Sequence, residues 1–162
     1  PFLEQNMDPL TILTRLSLTF LLAFLFGLER EWEKKHVGFG TFTFVSLGSC
    51  ALSIAALALQ PDNPLPLLAA ITTCIGFLGA GALIKQAERI SGFTTAGSIW
   101  LFAILGMLIG VGEFIEALIV YCGVWVVVLY NFLFHRGTSH QKMIIVGRHS
   151  TTEKQIKSSP NG

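Results

Sequence analysis

Three glycines in the stretch CIGFLGAGAL, Cys74 to Leu83, fall in a G-x-x-G-x-G spacing at Gly76, Gly79 and Gly81. Glycines so spaced cradle phosphate when their free backbone N–H groups lie between a strand and the start of a helix. The flanks speak against that chemistry. From Leu67 to Ile84 the chain carries no charge, over about the length a helix needs to cross a bilayer's hydrocarbon. In the middle of such a helix the N–H groups are already bonded to carbonyls, so none is left for an anion. Thr72, Gly76 and Ala80 lie four apart instead, the small-residue spacing that lets membrane helices approach closely.

Arg15 is the most unusual ionisable residue, about 9 Å along a helix that starts at Pro9. A charge inside a span faces the bundle and pairs with another group, which makes it a functional candidate. Glu113 and Glu116, at the start of the last apolar run, are the acids within reach, and an Arg15 to Glu116 pair is the expectation. The competing reading is that Arg15 snorkels to the outer headgroups. Steps of four from Thr11 pass through Arg15, Thr19, Ala23 and Gly27, a small and polar stripe that should face other helices. At the other end of that run, Glu29 and Arg30 alternate charge around the interfacial Trp32, as a solvated anchor or as a binding surface. Lys85, Arg89, Ser91, Thr94 and Thr95 form the facing loop, where Thr94 or Thr95 is placed to cap the next helix. Cys50, Cys74 and Cys122 lack metal or disulfide spacing and read as buried thiols. His36, His135, His140 and His149 match no metal motif, and no cofactor or metal is expected. No paired carboxylates, Ser-His-Asp set or Walker lysine stands out, which argues against an enzyme, and no nucleic-acid partner is expected.

The elements that must position these residues follow from composition. Of 162 residues, 52% are hydrophobic and 13% charged, and mean hydropathy is +0.63. Soluble domains carry about 25% charged residues. The expected fold is an all-α integral membrane protein, a compact bundle of five transmembrane helices. Besides 67–84, the runs Pro9 to Leu28, Thr41 to Leu59, Thr95 to Val111 and Phe114 to Phe134 are each about long enough to span. Lysine and arginine in short loops stay cytoplasmic. Arg30, Lys34 and Lys35 follow span one, Lys85 and Arg89 follow span three, and Arg136, Lys142, Arg148, Lys154 and Lys157 follow span five. That places the N-terminus out and the C-terminus in. Gly27, Gly48, Thr72, Gly76, Gly79, Ala80, Gly81, Gly106 and Gly110 are the expected helix-packing positions, with Gly106 and Gly110 forming a GxxxG.

The division is therefore a transmembrane domain over 1–134 and a cytoplasmic tail over 135–162. In the tail QKMIIVGR reads as one short strand before a polar segment, either the start of a soluble domain or a loose end. Met7 is a candidate native start, with PFLEQN as upstream residues.

These motifs resemble the membrane domain of the MgtC/SapB/YhiD family from about Arg15 to Gly112. Arg15-Leu16 through Gly27-Leu28-Glu29-Arg30 is similar to the family's opening arginine-leucine and G-x-E-R. Val37 to Thr41 resembles its A-G-L-R-T, Cys74 to Gly81 its G-I-G-F-L-G-A-G, and Gly92 to Ala96 with Trp100 its G-L-[NT]-T-A-A-x-x-W. Gly40, Cys74, Ser91 and Thr94 depart from the pattern: the first and third remove basic contacts, and the last removes any role tied to an amide. QKMIIVG also resembles the first strand of the ACT-like domain that longer members add. The resemblance implies a bacterial inner-membrane, multi-pass protein linked to growth in low magnesium, to virulence in pathogens, and to restraint of the F-type ATP synthase.

Two functional readings compete, with a third behind them. The first is a regulatory or interaction protein that binds other membrane proteins, or a second copy of itself, through small-residue faces and inner loops, in contact with membrane lipids. The alternative is a small transporter or channel for Mg²⁺ or another cation. Magnesium prefers carboxylate oxygen, and Glu116 is the one acid well inside a run. The third is a scaffold with no partner beyond itself.

Overall fold

The computed structural model describes residues 8–33, 37–86, 89–130 and 133, and of 84–86 and 89–91 it describes the backbone. The expected strand QKMIIVGR, the tail over 135–162, and the basic residues Lys34, Lys35 and Arg136 onward lie outside the described residues.

The chain runs through helices α1 (Pro9–Trp32), α2 (Phe39–Leu59) and α3 (Leu65–Gly81), a hairpin of β1 (Ile84–Gln86) and β2 (Arg89–Ser91), then α4 (Phe93–Val111) and α5 (Phe114–Tyr130). Proline opens α1 and α3, where its missing N–H costs no helical bond. Helices α1, α2 and α4 are long and apolar enough to cross a membrane, while α3 and α5 are shorter apolar helices. The chain up to Cys122 is one compact unit, and residues from Gly123 onward are assigned to a second.

The distribution of polarity identifies the solvent. Arg15, Thr19, Thr43, Ser46, Ser49 and Ser53 are buried, whereas Leu13, Phe44, Phe77, Ile115 and Leu118 are exposed. A water-soluble monomer rarely exposes so much contiguous apolar surface. Lipid reverses the preference: the helices' outer faces stay greasy and their polar groups turn inward.

Two glycines with left-handed backbone bracket α4. Gly92, at φ 100°, turns the hairpin into the helix, and Gly112, at φ 108°, turns the helix into α5. Residues with a Cβ rarely adopt that conformation. Tyr121, in the part of α5 that belongs to the first unit, meets the Phe102 ring of α4 edge to face at 6.3 Å.

Three expectations need correction. Span three ends at Gly81, not Ile84, because residues 84–86 pair antiparallel with 89–91 in register Ile84 to Ser91 and Lys85 to Ile90. Neither Thr94 nor Thr95 caps α4: the cap is Gly92, and both threonines fall inside the first turn. Of the three cysteines Cys50 is buried, but Cys74 and Cys122 are exposed on apolar helices.

Candidate functional site

The interior is built on a close crossing of α2 and α4. A Cβ at Gly106 would collide with the Ser46 carbonyl, and one at Gly110 would stand 2.6 Å from the Cys50 carbonyl and 2.8 Å from the Ser53 Cβ. Glycine at both positions lets the two backbones touch one turn apart. Ser46 Oγ secures the crossing by donating to the Phe102 carbonyl at 2.9 Å. Ser53 donates to the Ser49 carbonyl at 2.7 Å within α2, a local bond that lets a hydroxyl sit in an apolar core.

Arg15 reaches into this crossing from α1. Its side chain is 4% exposed, and Nη1 donates to the Gly110 carbonyl at 2.6 Å. The expected partner, Glu116, lies at an exposed position on α5. A glycine explains the difference, because Gly110 has no side chain to screen its own carbonyl from an approaching guanidinium. The snorkelling alternative also fails for a side chain so buried. One turn on, Thr19 Oγ1 donates back to the Arg15 carbonyl at 2.9 Å, and Ala23 and Gly27 continue the buried stripe. Gly27 lies against Phe39, where a Cβ would meet the backbone that opens α2.

An aromatic cluster separates Arg15 from the far end. Phe26 stacks on Phe102 at 4.5 Å between centroids, and Phe42 meets both edge to face at 5.0 and 5.3 Å. Beyond it lies Arg30, 7% exposed, with its guanidinium carbon 5.9 Å from the Phe26 centroid and Nη2 donating to Thr95 Oγ1 at 3.3 Å. Two sequence motifs 65 residues apart thus meet through one bond. Glu29, the residue before Arg30 in the chain, is half-buried, and Thr94 is exposed. Trp100 is exposed on α4 and borders a small void with Ile71, Thr72 and Met107. Lys85 sits on β1.

The glycines of α3 divide. Gly79 faces α4, its Cβ position 3.5 Å from the Ala96 carbonyl, and the buried face is Ile71, Ile75 and Gly79. Gly76 and Gly81, and Gly48 on α2, have open space where a Cβ would stand, and Ala80 is exposed. Thr72 Oγ1 satisfies itself on the Leu68 carbonyl at 3.2 Å. Among the described residues no three His, Cys, Asp or Glu side chains converge as a metal would need.

Residues that sequence reasoning passed over make up much of this interior: Phe26, Phe42 and Phe102, and the α2 row Thr43, Ser46, Ser49 and Ser53. Their signal was present in the three- and four-residue spacing of hydroxyls along an otherwise apolar helix.

Comparison with known proteins follows the same residues. A family model described as MgtC family matches residues 16–136, from α1 through α5. The chain belongs to the MgtC family. Protein MgtC of Salmonella typhimurium is 33% identical over 116 residues, covering 72% of this chain and 50% of that protein. Protein SapB of Bacillus subtilis is 35% identical over 125 residues, covering 71% and 53%. An uncharacterized Haemophilus influenzae protein is 36% identical over 125 residues, covering 70% and 52%. The chain therefore spans about half the length of these MgtC-family relatives. No solved structure matches it.

Proposed function

We propose that this MgtC-family chain is a multi-pass protein of the bacterial inner membrane that acts by binding other membrane proteins, without catalysing a reaction or carrying an ion. The observation that supports this reading is a division between used and unused small residues. Gly106 and Gly110 are occupied by α2 within the chain, while Gly48, Gly76 and Gly81 leave open backbone on apolar helices. Between α2 and α3 runs an apolar groove of about 590 Å³ bordered by Phe44, Gly48, Leu52, Ala70, Cys74 and Leu78. Exposed glycine on a lipid-facing helix is what a partner helix needs for close approach.

The role that goes with this surface is regulation under magnesium limitation and in virulence, with the F-type ATP synthase as a candidate partner. A second copy of the chain is the other candidate. Five spans with the N-terminus out and the C-terminus in keep every basic residue but Arg15 on the cytoplasmic side.

Crosslinking with mass spectrometry from native membranes tests this, with Gly76→Leu as the control. Wild type should crosslink to a membrane protein or to itself, and the leucine should remove those crosslinks without unfolding the chain. Mg²⁺ flux into liposomes that disappears in Glu116→Gln would establish the transporter reading instead. Thiol labelling that puts Lys34→Cys and Lys154→Cys on opposite sides of the membrane would overturn the topology.

A further inference from the structure

Arg30 is placed against the wrong end of a helix for a bare cation. Helix α4 begins at Phe93, and its ladder starts with the Ala96 N–H bonded to the Gly92 carbonyl at 2.8 Å. The N–H groups of Phe93, Thr94 and Thr95 precede that ladder, and the N-cap residue, Gly92, has no side chain to bond them. Unbonded N–H groups and the summed peptide dipoles make a helix N-terminus positive, equivalent to about half an elementary charge. Cations are normally found at the other end. Yet Arg30 Nη2 is seated on Thr95, the third residue of α4, and the side chain is more than nine-tenths buried.

A second observation concerns the same guanidinium. Arg30 Nε is buried and has no hydrogen-bond partner among the described residues. The Thr95 hydroxyl and the Phe26 ring face that touch it carry no negative charge; the half-buried carboxylate of Glu29 precedes it in the chain. A buried donor left unbonded, on a charged group next to a positive helix end, is costly unless an anion joins them. Arginine and a helix N-terminus together are suited to a phosphate's several acceptor oxygens.

We infer that Arg30 and the N-terminus of α4 form a binding site for a phosphate group. Phe93 and Thr94, both exposed, leave the helix end approachable from outside the bundle. The site lies where α1 ends and α4 begins, at the boundary of two apolar helices, so the phosphate comes from an anionic lipid headgroup or from a free phosphate in the adjoining water. This site is independent of the partner surface on α2 and α3.

The test measures thermal unfolding of the full chain with two probes. In one arm the protein sits in nanodiscs of phosphatidylglycerol or of phosphatidylcholine; in the other it is held in neutral detergent and titrated with inorganic phosphate against chloride at equal ionic strength. A headgroup site raises the midpoint in phosphatidylglycerol over phosphatidylcholine and is indifferent to inorganic phosphate; a free-phosphate site responds to the titration. In either case Arg30→Gln should weaken the response at least about tenfold, the loss expected for one charge-assisted bond, and Arg30→Lys should recover part of it. Thr95→Val, which keeps the side chain's size and removes the seat of the guanidinium, provides the same readout if Arg30→Gln does not fold. The inference is overturned if wild type responds to neither probe, or if Arg30→Gln or Thr95→Val responds as wild type does.

Discussion

Gly106 rests on the carbonyl of Ser46, closely enough that a single added carbon would overlap it. The α2 and α4 backbones are in contact there, and Gly110 repeats the contact one turn later on Cys50. Gly106→Leu and Gly110→Leu should each destabilise the bundle by about 1–3 kcal/mol or more, the cost of overpacking. Gly48→Leu and Gly76→Leu, on open positions, should change the melting midpoint little. Fluorescence-detected size exclusion after heating separates the two classes.

Arg15→Gln should lose the bond to the Gly110 carbonyl and lower stability by about 1.5–3 kcal/mol, the value of a hydrogen bond to a charged group. Glu116→Gln, exposed on α5, should leave stability unchanged. A double mutant whose loss equals that of Arg15→Gln alone would confirm that the two side chains are not coupled.

Ser46→Ala removes the donor to the Phe102 carbonyl and should cost about 0.5–1.5 kcal/mol. Ser98, whose hydroxyl bonds only to the Thr94 carbonyl among the described residues, is the comparison. Ser98→Ala should be close to neutral. Chemical unfolding in mixed micelles gives both values.

Gly92→Ala places a side chain where φ is 100° and where its Cβ would collide with the Ala82 carbonyl. The cost should exceed the roughly 1 kcal/mol of a left-handed alanine. Gly97→Ala, in the same helix with nothing within 4 Å, should instead stabilise by about 0.5–1 kcal/mol. Opposite shifts in melting midpoint are the expected outcome.

In a bilayer, with Cys74 and Cys122 facing lipid and Cys50 buried, none of the three should react with maleimide, which needs a thiolate, until the protein is denatured. Mass spectrometry of the labelled chain counts the modified thiols.

The parts of this architecture that were legible in sequence share a physical cause. The stripe from Arg15 through Thr19, Ala23 and Gly27 could be read because polar and glycine positions in lipid are costly unless they face protein. On α3 the same logic chose Thr72, Gly76 and Ala80, whereas the buried row is Ile71, Ile75 and Gly79, one residue earlier. Isoleucine is as comfortable in lipid as in a core, so composition does not distinguish those neighbouring rows. The hairpin escaped because the apolar run continues past Gly81 and no proline marks the helix end. Arg15's acceptor escaped for another reason: a search among carboxylates does not consider a backbone oxygen that a glycine leaves uncovered. The meeting of Arg30 with Thr95 depends on how α1 and α4 are placed side by side, which no local pattern encodes.

The two left-handed glycines at its ends stop α4 from gaining or losing a turn, so its 19 residues are a gauge of fixed length. At a rise of about 1.5 Å each they measure roughly 28 Å, slightly less than a typical hydrocarbon layer of about 30 Å. A bilayer thickened by long-chain lipids would have to pinch inward around this helix, which makes acyl-chain length a tuning variable for how the protein sits and with whom it gathers.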